Sequence, residues 1–105
     1  MLTVVETPTF QKLWPDYWNE DERAEFAANL AANPDIGDVV RDSGGVRKVR
    51  WARQGSGKSS GVRVIYFNRL ANGEIWLLLI YAKSKADSIP AHVLREIKME
   101  IEKCL

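Results

Sequence analysis

The residues best suited to chemistry in this chain are cations set among β-branched and aromatic residues. Lys48 and Arg50 alternate within VRKVRW, Arg63 stands inside GVRVIYF, and Lys83 and Lys85 follow EIWLLLIYA. Arg53 and Lys58 lie on the connecting stretch ARQGSGKSS. Arg and Lys in this number grip phosphate, and Arg does so through two parallel N–H groups. Trp51, Tyr66, Phe67, Trp76 and Tyr81 interleave with them, and single-stranded bases stack on such rings. The competing interpretation is a solvated charged face over ordinary core aromatics, which suffices for most of the rings. Arg63 resists it, because an unpaired charge within an apolar strand is costly.

Other chemistries find little support. His92 is the only histidine and Cys104 the only cysteine, so neither an internal disulfide nor a His/Cys metal cluster can be assembled. No metal site and no cofactor are expected. The serines have no His–Asp arrangement to activate them. GSGKSS (55–60) looks like part of a P-loop, but Ala52 stands where the first glycine belongs and the stretch leads into a strand instead of a helix.

Charge sharpens the picture. Residues 41–85 carry ten Lys/Arg against two acids, a balance of +8; residues 1–40 carry two against eight, or −6; residues 86–105 carry three against four, or −1. The formal total of +1 therefore conceals a basic segment between acidic flanks, the distribution expected of a phosphate-handling protein. At 105 residues and 46% hydrophobic, the chain is expected to be one domain spanning 1–105. With no secretory leader pattern and no apolar run beyond 75–82, it is expected to be cytoplasmic and not a membrane protein.

Three strands must position the cations: 46–51, 61–67 and 74–83. Lys48 and Arg50 share one side of the first with Val46, while Arg47, Val49 and Trp51 take the other. In the second, Val62, Val64 and Tyr66 share one face and Arg63, Ile65 and Phe67 the other. The third is apolar throughout, as for a strand covered on both faces. Ahead of them, 2–6 reads as a strand, and Thr7-Pro8 opens a short helix whose Phe10, Leu13 and Trp14 fall on one side and which Pro15 ends. Asn19 with Glu22 forms a capping box for a helix to about Ala32, with Phe26, Ala27, Leu30 and Ala31 as its stripe. Residues 35–45 read as a loop. A last helix, capped by Asp87 or Ser88 with Pro90 in its first turn, repeats Val93, Leu94, Ile97 and Ile101. The result is an α+β chain, β-α-α-β-β-β-α, with a helical hairpin and a C-terminal helix packed on a mainly antiparallel sheet.

The runs GGVRKVRW, GKSSGVRVIY and LLLIYAKSKAD resemble the RelE/ParE superfamily of type II toxins, most closely its HigB-like branch. The matching positions are Gly44, Gly45, Arg47, Lys48, Arg50 and Trp51; then Gly57, Lys58, Gly61, Arg63, Val64, Ile65 and Tyr66; then Leu79, Ile80, Tyr81, Lys83 and Asp87. Ser60 departs from the pattern, where a second glycine is common. The resemblance covers nearly the whole chain. It implies a small RelE-like, microbial-RNase-like fold and a metal-independent endoribonuclease that cuts mRNA in the ribosomal A site, with the RNA 2′-hydroxyl as nucleophile. It also implies a cognate antitoxin, usually a helix-turn-helix protein, as partner alongside the ribosome and mRNA.

Carried onto matching positions, the resemblance implies that Arg63 stabilises the transition state, Lys83 contacts the leaving group or phosphate, and Lys58 supplies base chemistry or grips RNA. Tyr81 stacks on a base, shares in proton transfer or is simply a core tyrosine. Lys48, Arg50, Arg53 and Lys85 are expected to contact RNA or ribosome backbone. Two alternatives stay open: a non-catalytic inhibitor of DNA gyrase, as in the ParE branch, and a regulatory module acting with its antitoxin on operator DNA. A structural Arg63 would need a buried acid, and the basic segment offers only Asp42 and Glu74.

Overall fold

Thr7 does two jobs at the first bend of the chain. In the computed structural model, which describes residues 2–51, 61–82 and 89–104, its hydroxyl accepts from Phe10 N (3.3 Å) and donates to Leu77 O (2.9 Å). The same side chain thus caps helix α1 (Pro8–Leu13) and ties it to the sheet, and Pro8 stands in the helix's first turn, where its missing N–H costs nothing. Strand β1 (Thr3–Glu6) precedes it. Pro15 does not end the helical run outright: Trp14–Asp16 continue it as a turn of 3₁₀-helix. Helix α2 (Glu20–Ala32) starts at the Asn19–Glu22 capping box, with both reciprocal bonds made, and Phe26 and Leu30 are its buried residues.

The remaining strands are β2 (Asp38–Val39), β3 (Arg47–Trp51), β4 (Val62–Arg69) and β5 (Glu74–Ala82), and helix α3 (Ala91–Lys103) closes the order. The sheet runs β1-β5-β4-β3-β2. Only β1–β5 is parallel; the other three pairings are antiparallel. The architecture is the expected α+β arrangement with one addition. Residues 35–45 are not all loop, because Asp38–Val39 pairs with Arg47–Lys48 as an edge strand. The turn back to β3 uses positive φ at Asp42 (66°), Gly44 (80°) and Gly45 (99°). Buried Ser43 braces it, donating to Val40 O (2.6 Å) and accepting from Val46 N (3.0 Å).

Two cores sandwich the sheet. On one face Phe10, Trp18, Phe26 and Leu30 pack against Val49, Val62, Val64, Tyr66, Ile75, Leu77 and Ile80. On the other, Leu94, Ile97 and Ile101 of α3 pack against Ile65, Phe67 and Leu78. A register shift at Ile65/Tyr66 interrupts the β4–β5 ladder, the signature of a β-bulge. The N-cap of helix α3 falls two or three residues later than expected, at Pro90, with no side-chain capping bond. Pro90 is therefore outside the first turn; Asp87 and Ser88 lie outside the described residues. None of the described helices is long and apolar enough to cross a membrane.

Candidate nucleic-acid interface

Register places the cations. Arg50 of β3 pairs directly with Arg63 of β4, and Arg63 pairs directly with Tyr81 of β5. Direct partners in an antiparallel pair lie on the same face, with Cβ atoms ~4.5–5.5 Å apart. Lys48, two residues from Arg50 and opposite Ile65, shares that face, which α3 covers at its other end. Two arginines opposite one another repel, and such a pair is normally destabilising. Among the described residues, Arg63 makes no salt bridge or hydrogen bond that would relieve the repulsion. Of the two acids named for a structural role, Glu74 is taken by Arg69 (3.2 Å) and by Trp76 Nε1 (3.2 Å), and Asp42 sits in the positive-φ turn. Beside Arg63 lies an open cavity of about 490 Å³, lined by Ile36, Asp38, Lys48, Val49, Arg50, Trp51 and Arg63.

Trp51 joins the cavity from the other core, its ring edge-on to Phe26 at 5.1 Å and 85°. Tyr66 and Phe67 are buried at 0% and 1% exposure and are core residues; Trp76 stacks on Phe67 at 6.4 Å and 10°. Tyr81 is partly buried, with a hydroxyl that has no hydrogen-bond partner among the described residues. Burial pushes its pKa up, and the positive charge of Arg63 partly opposes that shift. A phenol held neutral suits hydrogen-bond donation better than proton abstraction.

Of the expected site residues, Arg63, Tyr81, Lys48 and Arg50 therefore come together. Lys58, Lys83, Arg53 and Lys85 lie outside the described residues. Gly61 leads into strand β4, which does not suit a P-loop.

One wall of the cavity carries no motif of its own in the sequence. The Tyr66 hydroxyl donates to Pro34 O (2.8 Å) and accepts from Gly37 N (2.9 Å). Asn68 Nδ2 donates to Pro34 O (3.0 Å), Arg47 Nη1 donates to Gly37 O (2.7 Å), and Arg47 Nη2 lies 3.3 Å from Asp35 Oδ1. Gly37 is needed at this crossing, since a Cβ there would come within 2.9 Å of the Tyr66 ring. The clamp fixes Ile36 and Asp38 at the cavity rim. The β-branched Val39-Val40 followed by Gly44-Gly45 was the available signal for the β2–β3 hairpin.

No protein-family model matches the sequence. Among solved structures, the chain is similar to the Escherichia coli toxin RelE, solved in the free state as a double arginine-to-alanine mutant. The TM-score is 0.64, covering 93% of this chain and 97% of that one. The fold is RelE-like. At 11% identity the likeness concerns the fold alone, and the chemistry of the RelE-like sheet has to be argued from the side chains it carries.

Proposed function

We propose that the chain is the toxin of a type II toxin–antitoxin pair, of the HigB-like branch, acting as a ribosome-dependent endoribonuclease on mRNA. The observation that carries this reading is the Arg50–Arg63 cross-strand pair, with Lys48 beside it, facing a cavity and without a salt bridge to any described acid. Such a cluster stabilises an anion that arrives from outside. In the proposed reaction the 2′-hydroxyl of one nucleotide loses its proton and attacks the adjacent phosphate. The P–O5′ bond breaks, leaving a 2′,3′-cyclic phosphate and a 5′-hydroxyl that takes up a proton. Arg63 holds the non-bridging oxygens as charge develops on them, and Arg50 and Lys48 hold neighbouring phosphate. Tyr81 donates a hydrogen bond or stacks on a base. Lys58 and Lys83 are the proposed groups for proton transfer and leaving-group contact, with Arg53 and Lys85 on RNA or ribosome backbone.

The test is induction of the protein in bacteria followed by primer extension on abundant messages. The expected result is discrete, translation-dependent cuts within reading frames, with growth arrest relieved by the antitoxin. Intact messages together with loss of DNA supercoiling would favour the gyrase alternative instead.

A further inference from the structure

The cavity beside Arg63 contains one residue that a simple anion site would exclude. Asp38 lines it together with Lys48, Arg50 and Arg63. A carboxylate there weakens binding of phosphate, since like charges repel across short distances. Its register partner across β2–β3 is Lys48, yet among the described residues the Asp38 carboxylate makes no salt bridge or hydrogen bond. The acid is thus left for something else.

The backbone that carries it is unusually well held for an edge segment. Tyr66, Asn68 and Arg47 fasten residues 34–37 to β3 and β4, and Asp38 itself is in ladder register with Lys48. Because β3 and β4 also carry Arg50 and Arg63, the separation between the acid and the cations is set by the sheet. Ile36, at the same rim, is 43% exposed and offers an apolar surface. A cavity of about 490 Å³ lies within the ~300–1,000 Å³ range of small-ligand sites.

We infer that Asp38 and Ile36 form a nucleobase subsite beside the phosphate-holding cations, one that takes a base presenting N–H donors, guanine above all. This rests on the nuclease reading of the same cavity. The chemistry behind the choice is elementary. A carboxylate has two acceptor oxygens and no donor. The Watson–Crick edge of guanine presents N1–H and N2–H side by side, so both oxygens are satisfied. Adenine and cytosine offer one amino donor next to a ring nitrogen that repels the second oxygen, and uracil places its single N–H between two carbonyls. The Ile36 side chain covers a base face, as apolar side chains do for splayed single-stranded bases. The neighbouring cations hold the phosphates on either side, so the acid's repulsion is spent on selecting the base.

The experiment maps cut sites transcriptome-wide after induction of the wild type and of Asp38→Asn, with melting curves to confirm that both fold. Asn presents one acceptor and one donor, so it cannot serve both guanine N–H groups. The expected result is guanine enriched at one fixed offset from the cut in the wild type. In Asp38→Asn, cutting at guanine-bearing sites falls relative to uracil-bearing sites on the order of tenfold, the scale of one lost bidentate base contact. Cuts without guanine enrichment in the wild type, or an enrichment unchanged in Asp38→Asn, would overturn the subsite and leave the nuclease reading standing. An absence of any cuts would overturn both.

Discussion

Two cavities of this molecule treat arginine in opposite ways. In the groove between β1 and α2, about 530 Å³ and lined by Val4, Val5, Glu6, Glu20 and Arg23, each guanidinium nitrogen has a carboxylate partner. Arg23 Nε and Nη2 donate to the two oxygens of Glu6 at 2.6 and 2.9 Å, Nη1 donates to Glu20 at 2.9 Å, and the group lies 4.6 Å from the centre of the Trp14 ring. The Glu6 interaction is the main reason the Arg23 pKa is raised. In the cavity beside β3 and β4, Arg50 and Arg63 face each other, and among the described residues neither is paired with an acid, although Asp38 lines the same cavity. The first arginine finishes a structure, and the second pair has no ion-pair partner among the described residues. Similar pocket size and the same residue type thus carry different meanings, and the difference is read from partners, not from shape.

The two tyrosines repeat the contrast. Tyr66 has a buried hydroxyl with its donor and acceptor sides both used, at Pro34 O and Gly37 N. Tyr81 has a buried hydroxyl with neither used among the described residues. Both pKa values are raised, in each case chiefly by burial.

If the unneutralised cavity serves RNA cleavage through the 2′-hydroxyl, the largest effect comes from the substrate side. Replacing the 2′-hydroxyl by hydrogen at a mapped cut, in a reconstituted translation reaction, should abolish cleavage at that position while toxin still binds the programmed ribosome. Persistent cutting there would break the proposed chemistry.

The neutralised cavity predicts loss of stability instead. Glu6 is 10% exposed and Arg23 33%, so Arg23→Ala should cost about 2 kcal/mol, between the ~0.2–1 of exposed pairs and the ~3–5 of broken buried ones. For a domain of this size that lowers the melting temperature by on the order of 10 °C, as differential scanning calorimetry will show. An unchanged melting temperature would remove the contrast between the two cavities.

Tyr66→Phe leaves the buried Gly37 N–H without its acceptor and should cost about 1–3 kcal/mol. Tyr81→Phe removes a hydroxyl with no partner among the described residues and should leave the melting temperature at or slightly above the wild-type value. pH acts on both in the same direction. A folded phenol pKa above the ordinary value of 10.0 means that the folded state holds its protons more tightly. The associated stability is full below about pH 10 and is lost as pH rises through the folded values. Tyr81→Phe should therefore soften the alkaline loss of stability in melts taken as pH rises through and above 10.0.

The smallest effect is electrostatic. Each phosphate contact on a single strand contributes about 0.7 to the slope of log affinity against log salt. Arg50→Ala should reduce that slope by about this amount in ribosome or RNA binding, and Lys48→Ala by no more. A salt-insensitive interaction would point to a protein target.

Much of this was legible in the chain, for identifiable reasons. The Asn19–Glu22 box and Thr7-Pro8 are local signals, and each formed where expected. The strands carrying Arg50, Arg63 and Tyr81 were visible from their alternation and apolar runs. Arg63 stood out because a charge among Val62, Val64 and Ile65 needs a reason. That Arg50 lies opposite Arg63 was not legible, since register depends on the connection between the strands and not on either strand alone. The wall bearing Ile36 and Asp38 escaped for the same cause. It is assembled by a tyrosine hydroxyl some thirty residues away in sequence, and β2 is only two residues long, too short for a periodicity. The helix α3 start was misplaced because Ser88 and Asp87 look like caps, whereas Pro90 holds the position.

The most direct test of the central claim, that the Arg50–Arg63 pair is kept for an external phosphate, is Arg63→Ala followed on one preparation by cleavage rate and by melting temperature. The account predicts cleavage lower by roughly 10²-fold or more, the scale of losing one preorganised charge stabiliser, with the melting temperature unchanged or slightly raised as the arginine repulsion disappears. Full cleavage by Arg63→Ala, or a marked fall in melting temperature with it, would contradict the account.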